Sequence, residues 1–421
     1  MSKKRKPEQV RPRELASICS DGMMAEAVCV GPDQPLQFAV YQGGCVELRP
    51  GISFRGQEVV PPSDRNGLVS KGIVLLSSKP VPYGTQEALL GQLETFIARY
   101  CDLPEFWVRL AALYPMMSWV FDRFTAVPYL RFLGELQTGK SRCLQAVGHL
   151  CYKAIMAGGS TTVSPLFRLC EIYGGTFVLD EADFRYSDSW CEVVKILNCG
   201  YMKGVPVLRS DKSGDGYEPR AFDVFGPKVI ANRRRFDDAA LESRCLTCEM
   251  TERVVRHDIP RQLPQQFFEE AKELRSKLLQ WRFENYKRVL HDESALLDLD
   301  PRTAQIATPL YNLACEGFRR DLLGFLQKAA AEDRSSRPQA LVVEAISRLA
   351  GANGRQLFVK EVAEEASLLG TERGDGNSLS PKATGGIVRS LGFHPRRSRD
   401  GYTFDPTSDL LGRLKDKYGV V

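Results

Sequence analysis

The chain has 421 residues, of which 43% are hydrophobic and 26% charged, which suits two or three packed domains and excludes a disordered or fibrous protein. Its net charge is a modest +5, and no segment is apolar enough to span a membrane. Twelve scattered cysteines, with no short disulfide framework and no apolar leader, read as reduced thiols of a cytoplasmic protein.

Residues 1–17 read as a basic disordered tail, since Lys3, Lys4, Arg5, Lys6, Arg11 and Arg13 crowd a Pro-containing polar stretch able to hold polyanions. Residues 18–80 alternate short β-like runs with Gly and Pro turns and predict a small β-rich region. Residues 81–126 carry helical apolar spacing, first from Thr85 to Tyr100 and then from Pro104 to Phe124. The aromatics there, Trp107, Trp119 and Phe121 among them, are expected in the core.

The stretch YLRFLGELQTGKSRCLQAVGHL, starting at Tyr129, predicts a buried strand, a glycine loop and a helix. The loop spells G-x-x-x-x-G-K-S, the Walker-A pattern. Its segment Gly134, Glu135, Leu136, Gln137, Thr138, Gly139, Lys140, Ser141 and Arg142 is therefore expected to cradle the phosphates of ATP, with Lys140 neutralising them and Ser141 on Mg²⁺. TFVLDEAD, from Thr176 to Asp183, reads as a parallel-sheet strand that delivers Asp180 to the metal and Glu181 to the attacking water. Lys203 to Val224 alternates extended runs with a Gly-rich turn and predicts a hairpin. Lys228 to Asn232 is a third strand, ending in a polar side chain placed as a water-orienting group would be. Cys245 and Cys248 lie in a further apparent strand without a second pair at zinc spacing.

The order of Walker A, acidic strand end, Asn-terminated strand and A-L-x-S-R (Ala240 to Arg244) before another strand resembles the AAA+ ATPases. In particular it resembles minichromosome-maintenance-type helicases and related helicases of phages, plasmids and other mobile elements. The likeness covers roughly residues 127–326. It implies a ring, expected to be hexameric, with ATP between subunits, Asn232 as the first sensor, Arg244 as an arginine finger acting on the neighbour's ATP, and Arg302 as a second-sensor candidate. Arg233, Arg234 and Arg235 compete for the finger role. The resemblance also places the predicted hairpin in the central channel, with Lys212 at its tip and Lys203 and Arg209 nearer its base, against single-stranded DNA.

Residues 332–421 predict helices at 339–349, 360–369 and 381–392, a short strand at 357–359 and a basic hairpin turning at Arg399 to Gly401, which is the order of a winged helix. Lys382 and Arg389 on the third helix, with Arg396, Arg397 and Arg399 on the wing, are expected to meet phosphates, possible duplex contacts among them. The whole therefore predicts an α/β protein: a P-loop parallel sheet flanked by helices in residues 127–331 with a helical lid, preceded by small β-rich and helical regions and followed by a winged helix. The function expected is an ATP-dependent DNA motor of replicative type. Two alternatives use ATP without unwinding, namely a DNA-binding initiator or switch and a helicase loader.

Overall fold

The computed structural model describes residues 12–420 except 21, 33, 159–160, 181–187, 214–215, 252–255, 351–354 and 373–377. Glu181 and the basic residues from Lys3 to Arg11 lie outside the described residues. The chain divides into two compact units, residues 1–321 and 322–421, ten residues before the boundary expected from the polar stretch at 332–338. The reason is that one helix, α9 (Glu316–Ser336), runs straight through that stretch.

The first unit opens with strands β1 (Arg13–Glu14), β2 (Ser17–Ser20), β3 (Met23–Val28), β4 (Gln37–Gln42), β5 (Cys45–Arg49), β6 (Ile52–Phe54), β7 (Gln57–Val60) and β8 (Val74–Leu75). Strands β2 to β5 form an antiparallel meander, while β1 pairs in parallel with β7. Arg13 is therefore a strand residue rather than part of a loose tail, because its backbone groups find ladder partners in β7. Two helices follow, α1 (Gln86–Tyr100) and α2 (Glu105–Ser118). Thr85 caps α1 by accepting from the Ala88 N–H at 3.1 Å, and Leu89, Leu93, Phe96, Ile97 and Tyr100 form its buried stripe.

The central sheet is built from β9 (Tyr129–Leu133), β10 (Ala154–Ala157), β11 (Phe177–Leu179), β14 (Lys228–Asn232) and β15 (Cys245–Glu249). The intervening elements are α3 (Lys140–Gly148), α4 (Val163–Tyr173), α5 (Asp188–Cys199), the hairpin β12 (Val207–Ser213) with β13 (Gly216–Phe222), and α6 (Ala239–Glu242). Helices α7 (Gln265–Asn285) and α8 (Pro301–Leu313) complete the unit. The strand order is β15-β9-β14-β11-β10-β8, parallel throughout except for β8, which adds antiparallel to β10. Strands β9 and β14 are buried at every residue, as expected for a sheet covered by helices on both faces.

A buried ionic cluster fastens the N-terminal strands to this sheet. Glu26 on β3 takes Arg282 of α7 at 2.9 Å, Lys153 at 2.7 Å and the Tyr152 hydroxyl at 2.7 Å. Arg282 also makes a forked pair with Asp122 at 2.9 Å, donates to the Trp119 carbonyl and lies over the rings of Tyr152 and Tyr286. Lys153 also donates to the Ala16 carbonyl at 2.7 Å. Burial pushes the Lys153 ammonium below its ordinary range, with Glu26 opposing that shift. Burial would raise Asp122, but the Arg282 guanidinium overrides it and holds the carboxyl low.

The second unit packs α10 (Pro338–Ala350), α11 (Val359–Glu372), α12 (Pro381–Ser390) and α13 (Ser408–Tyr418) with a three-stranded antiparallel sheet of β16 (Leu357–Phe358), β18 (Gly401–Phe404) and β17 (Arg396–Ser398) in that order. It has its own core, including Val342, Ile346, Leu357, Val362, Val388 and Phe404. Ser380 caps α12 by accepting from the Ala383 N–H, with Pro381 at its first turn. No helix among the described residues is long and apolar enough to cross a membrane.

Two outcomes are expected. Arg282→Met should destabilise the first unit by about 3–5 kcal/mol in urea, because Asp122 loses its cation and buried Glu26 keeps only Lys153; a loss under 1 kcal/mol would show that the cluster is not holding the strands in place. His149, at the end of α3, is half-buried against Phe267 and Phe268, and burial pushes its imidazole down to about 4. The native state therefore stays neutral where the unfolded chain takes up a proton. This contribution is complete above the ordinary histidine value and is lost as pH falls from about 6.5 toward 4. The stability difference between the parent chain and His149→Gln should follow that window, and parallel pH profiles would refute the assignment.

Candidate functional site

The carboxyl ends of the parallel strands converge on an open cavity of about 300 Å³, lined by Leu136, Gln137, Gly139, Lys140, Ser141, Arg142, Asp180, Asn232 and Arg233, among others. This is the end of an α/β sheet where ligands are held, outside the strand termini. Gly134 leaves β9 between its two neighbours: its N–H donates to the Asn232 carbonyl, and a Cβ built on it would stand 2.2 Å from the Met250 carbonyl oxygen. No other residue fits there without moving the backbone. Gln137 and Gly139 have φ of 64° and 90°, left-handed values of the kind that turn loop amides into an anion-binding concavity. Helix α3 starts at Lys140 directly behind, so the positive end of its dipole faces the same space.

The side chains around the loop match its backbone. Ser141 Oγ lies 3.2 Å from Asp180 Oδ1, the Lys140 ammonium donates to the Glu135 carbonyl, and Thr138 Oγ1 donates to the same carbonyl at 2.9 Å. Arg142 donates to the carbonyls of Pro260 and Arg261 at 2.7 and 2.9 Å, tying the 260–261 segment to the start of α3. Asn232 ends β14 in register with Leu133, next to the loop. Its Oδ1 is buried and has no hydrogen-bond partner among the described residues. A buried amide oxygen without a donor costs about 1–3 kcal/mol, and a ligand or water O–H in the cavity would satisfy it. The loop, one hydroxyl, one carboxylate and the Asn232 oxygen are the groups of this cavity that could hold a phosphate chain and a divalent cation.

The segment after Asn232 is fixed by a second buried cation. Arg131, in the middle of β9 and fully buried, pairs with Glu242 of α6, bonds Thr247 and lies over Phe236. Glu242 also accepts from Arg235 at 2.9 Å and from the Phe236 N–H at 3.0 Å. Arg235 is thereby committed to Glu242 and Glu249 within its own chain.

Arg244 and Arg302 lie at the opposite end of the sheet. The Arg244 carbonyl accepts from the N–H of Tyr129, the first residue of β9, so the strand separates it from the phosphate loop by roughly 15 Å. Its guanidinium is held inside its own chain, 4.4 Å from the centre of the Tyr201 ring and bonded to Asn198, with Nε buried and unpartnered. Arg302 lies 4.6 Å from the same ring. The structure does not bring Arg302 to the phosphate loop of its own chain, because α8 packs beside Tyr201 and Met202 at the start of the strands. The expectation that read Arg302 as a nucleotide ligand rested on its motif alone.

The expected nucleic-acid residues divide into committed and uncommitted groups. Lys203 is exposed and donates to the Asp122 carbonyl at 3.1 Å. Arg209 is bound to Glu192 at 3.2 Å and lies over Phe167, so it anchors the hairpin. Lys212 sits at the register position opposite Tyr217 near the hairpin tip. In the second unit Lys382, Arg389, Arg396, Arg397 and Arg399 are all exposed and pair with no acid among the described residues. Neighbouring acids there are taken up by other bases: Glu344, Glu365 and Glu372 by Arg348, Glu361 by Arg355, and Glu364 by Lys360.

No family model matches this chain, and no curated protein sequence matches it either. Among solved structures it is similar to two of the A-form apo C-terminal region of NrS-1, at TM-scores of 0.37 and 0.35 and identities of 9% and 11%, each covering 91% of this chain and 96% of the other. At those scores the likeness carries no function across.

If the loop is the phosphate site, Lys140→Ala should weaken binding of inorganic tripolyphosphate by roughly tenfold or more, through loss of a charge-assisted contact, without lowering the melting temperature. Calorimetry that finds equal affinity would move the anion site elsewhere.

Proposed function

We propose that this chain is an ATP-driven nucleic-acid motor on the AAA+ plan, of the replicative DNA helicase type, acting as a ring. The observation that carries the reading is the orphaned Asn232 oxygen beside Lys140, Ser141 and Asp180 at the carboxyl ends of the strands. The strand order, in which the Walker-A strand lies between β15 and β14, supports the same plan.

In this reading the loop amides and Lys140 hold the phosphates of ATP, and Ser141 with Asp180 hold Mg²⁺. The metal, when bound, neutralises charge that builds up on the transferring phosphoryl group. Asn232 accepts a hydrogen bond from the attacking water and orients it. Glu181, outside the described residues, receives the water's proton. Arg244 and Arg302, at the far end of the sheet from their own loop, serve the ATP of an adjacent subunit once Arg244 leaves Tyr201. Two cations brought from a neighbour make turnover depend on assembly. The second unit, with helices α10, α11 and α12 and the β17–β18 hairpin, acts as a winged helix that meets DNA phosphates through its five uncommitted bases.

Subunit mixing tests the arrangement. Arg244→Ala and Lys140→Ala should each lack ATPase activity, and mixed rings should regain part of it, since each supplies the half-site the other lacks. Glu181→Gln should bind ATP without turning it over. A fully active Arg244→Ala chain, or no recovery in demonstrably mixed rings, would remove the trans arginine. A strand-displacement assay separates the motor from an ATP-controlled DNA-binding switch, which would bind duplex and leave it unopened.

A further inference from the structure

Helix α5 ends in Asn198 and Cys199, and the Asn198 amide is shared between two groups that flank α6. Its Nδ2 donates to Asp238 Oδ2 at 2.8 Å, and its Oδ1 accepts from the Arg244 guanidinium. Asp238 is the cap of α6: its other carboxylate oxygen accepts from the N–H groups of Ala240 at 2.8 Å and Leu241 at 3.3 Å. Arg244 stands two positions beyond the last residue of the same helix. An acid on one side and a cation on the other leave the amide one orientation, because only its NH₂ can face the carboxylate and only its oxygen the guanidinium. The Asp238 carboxyl is held below its ordinary range first by this amide, then by the α6 N–H groups and Arg244, against the opposing effect of burial.

Arg244 is the least well satisfied of the buried guanidiniums among the described residues. Arg131 is forked on Glu242, Arg282 pairs with Glu26 and Asp122, and Arg275 donates to the backbone carbonyls of Leu76 and His149. Arg244 is 7% exposed and has no ion pair with an acid among the described residues. It donates to one neutral amide, leaves Nε without an acceptor and shares the Tyr201 ring with a second cation, Arg302. A guanidinium gains more from an oxyanion than from a neutral amide, since hydrogen bonds between ionised groups are roughly twice as strong. Arg244 therefore leaves this place when a phosphate is offered, and the hydrogen bond that must break is the one to Asn198.

We propose that Asn198 is the positioning residue of Arg244: its amide latches the arginine in a resting place within its own chain, and opening the latch frees the guanidinium for the triphosphate of an adjacent subunit. The proposal rests on the reading of Arg244 as an arginine that acts on a neighbour, and adds what holds it back before the subunits meet. An isolated chain keeps the guanidinium covered, and a neighbour's phosphates draw it out.

The test uses the full chain and reads the arginine directly. Phenylglyoxal modifies accessible guanidinium groups, and peptide mass spectrometry follows its rate at Arg244, with buried Arg282 as the measure of folding. Asn198→Ala should raise the rate at Arg244 roughly tenfold, the order set by losing one hydrogen bond to a charged group, and leave Arg282 protected. Asn198→Asp keeps an acceptor for Arg244 and makes it ionic, so its labelling should fall below the parent rate. A merely structural Asn198 would not give opposite signs, since both changes would loosen the same contacts. An Arg244 rate in Asn198→Ala equal to the parent's overturns the latch. If Arg282 becomes labelled as well, the Asn198→Asp chain decides: labelling slower than the parent supports the latch, and labelling as fast or faster overturns it. Mixed rings supply the second readout, with Arg244→Ala chains binding ATP and Lys140→Ala chains donating the arginine. Donors that also carry Asn198→Ala should restore more ATPase activity than the Lys140→Ala donor, and donors that carry Asn198→Asp should restore less. The same recovery from all three donors overturns the latch and leaves the trans arginine standing. No recovery from any of them overturns the trans arginine and the latch with it.

Discussion

One buried guanidinium, Arg282, decides how the first unit is put together. It reaches Glu26 on an N-terminal strand, Asp122 after α2 and the Trp119 carbonyl, while Lys153 at the entrance to β10 meets Glu26 from another side. Taking these charges out of water is costly, and the cost is offset only when all partners are in place, since each donor has its acceptor from a different part of the chain. The β-rich residues before 80 therefore belong to the same compact unit as the sheet and do not form an appended domain. Strand β8 extends the same attachment by adding to the edge of the central sheet, where it covers backbone groups of β10 that would otherwise be open.

The central sheet has two chemically different ends. At the carboxyl end, the glycine loop, Ser141, Asp180 and Asn232 surround an anion-sized cavity with an unfilled acceptor. At the starting end, Arg244 and Arg302 share the ring of Tyr201. Five residues of strand keep the two sets apart, so no bending of a side chain lets one chain supply both. Arg131 links them mechanically: it sits at the middle of β9 and fixes α6, which lies between Asn232 and Arg244 in sequence. The hairpin is tied to the same framework through α4 and α5, the second of which follows the Asp180 strand.

Much of this was readable before any coordinates. The spacing of Gly134, Gly139 and Lys140 between an apolar run and a helical pattern identified the strand–loop–helix, because the loop's geometry is local and Gly134 leaves no room for a Cβ. One cap was readable for the same reason: Ser380 lies just before a helix that begins where expected. The hairpin at 207–222 followed from alternation about a turn. The second unit begins ten residues before the polar run at 332–338, which resembles a linker, yet α9 passes into that run and most polar residues are tolerated on an exposed helix.

What the sequence by itself determined is the set of local facts: periodic strands and helices, a glycine loop between strand and helix, an acidic strand end and a basic hairpin. Each depends on neighbours within a few residues, where φ/ψ preference and side-chain period act. The tertiary structure alone decided which distant residues meet. Glu26 and Arg282 are 256 positions apart, Arg131 and Glu242 are 111 apart, and nothing in the spacing of any of them announces a partner. It also decided that Arg302 rests on the Tyr201 ring, as Arg244 does, instead of at the glycine loop, and that Tyr217 is left in water while Arg209 is not. Burial and pairing of this kind are properties of the packed whole, because a charge's surroundings are supplied by chain segments that sequence order keeps far apart.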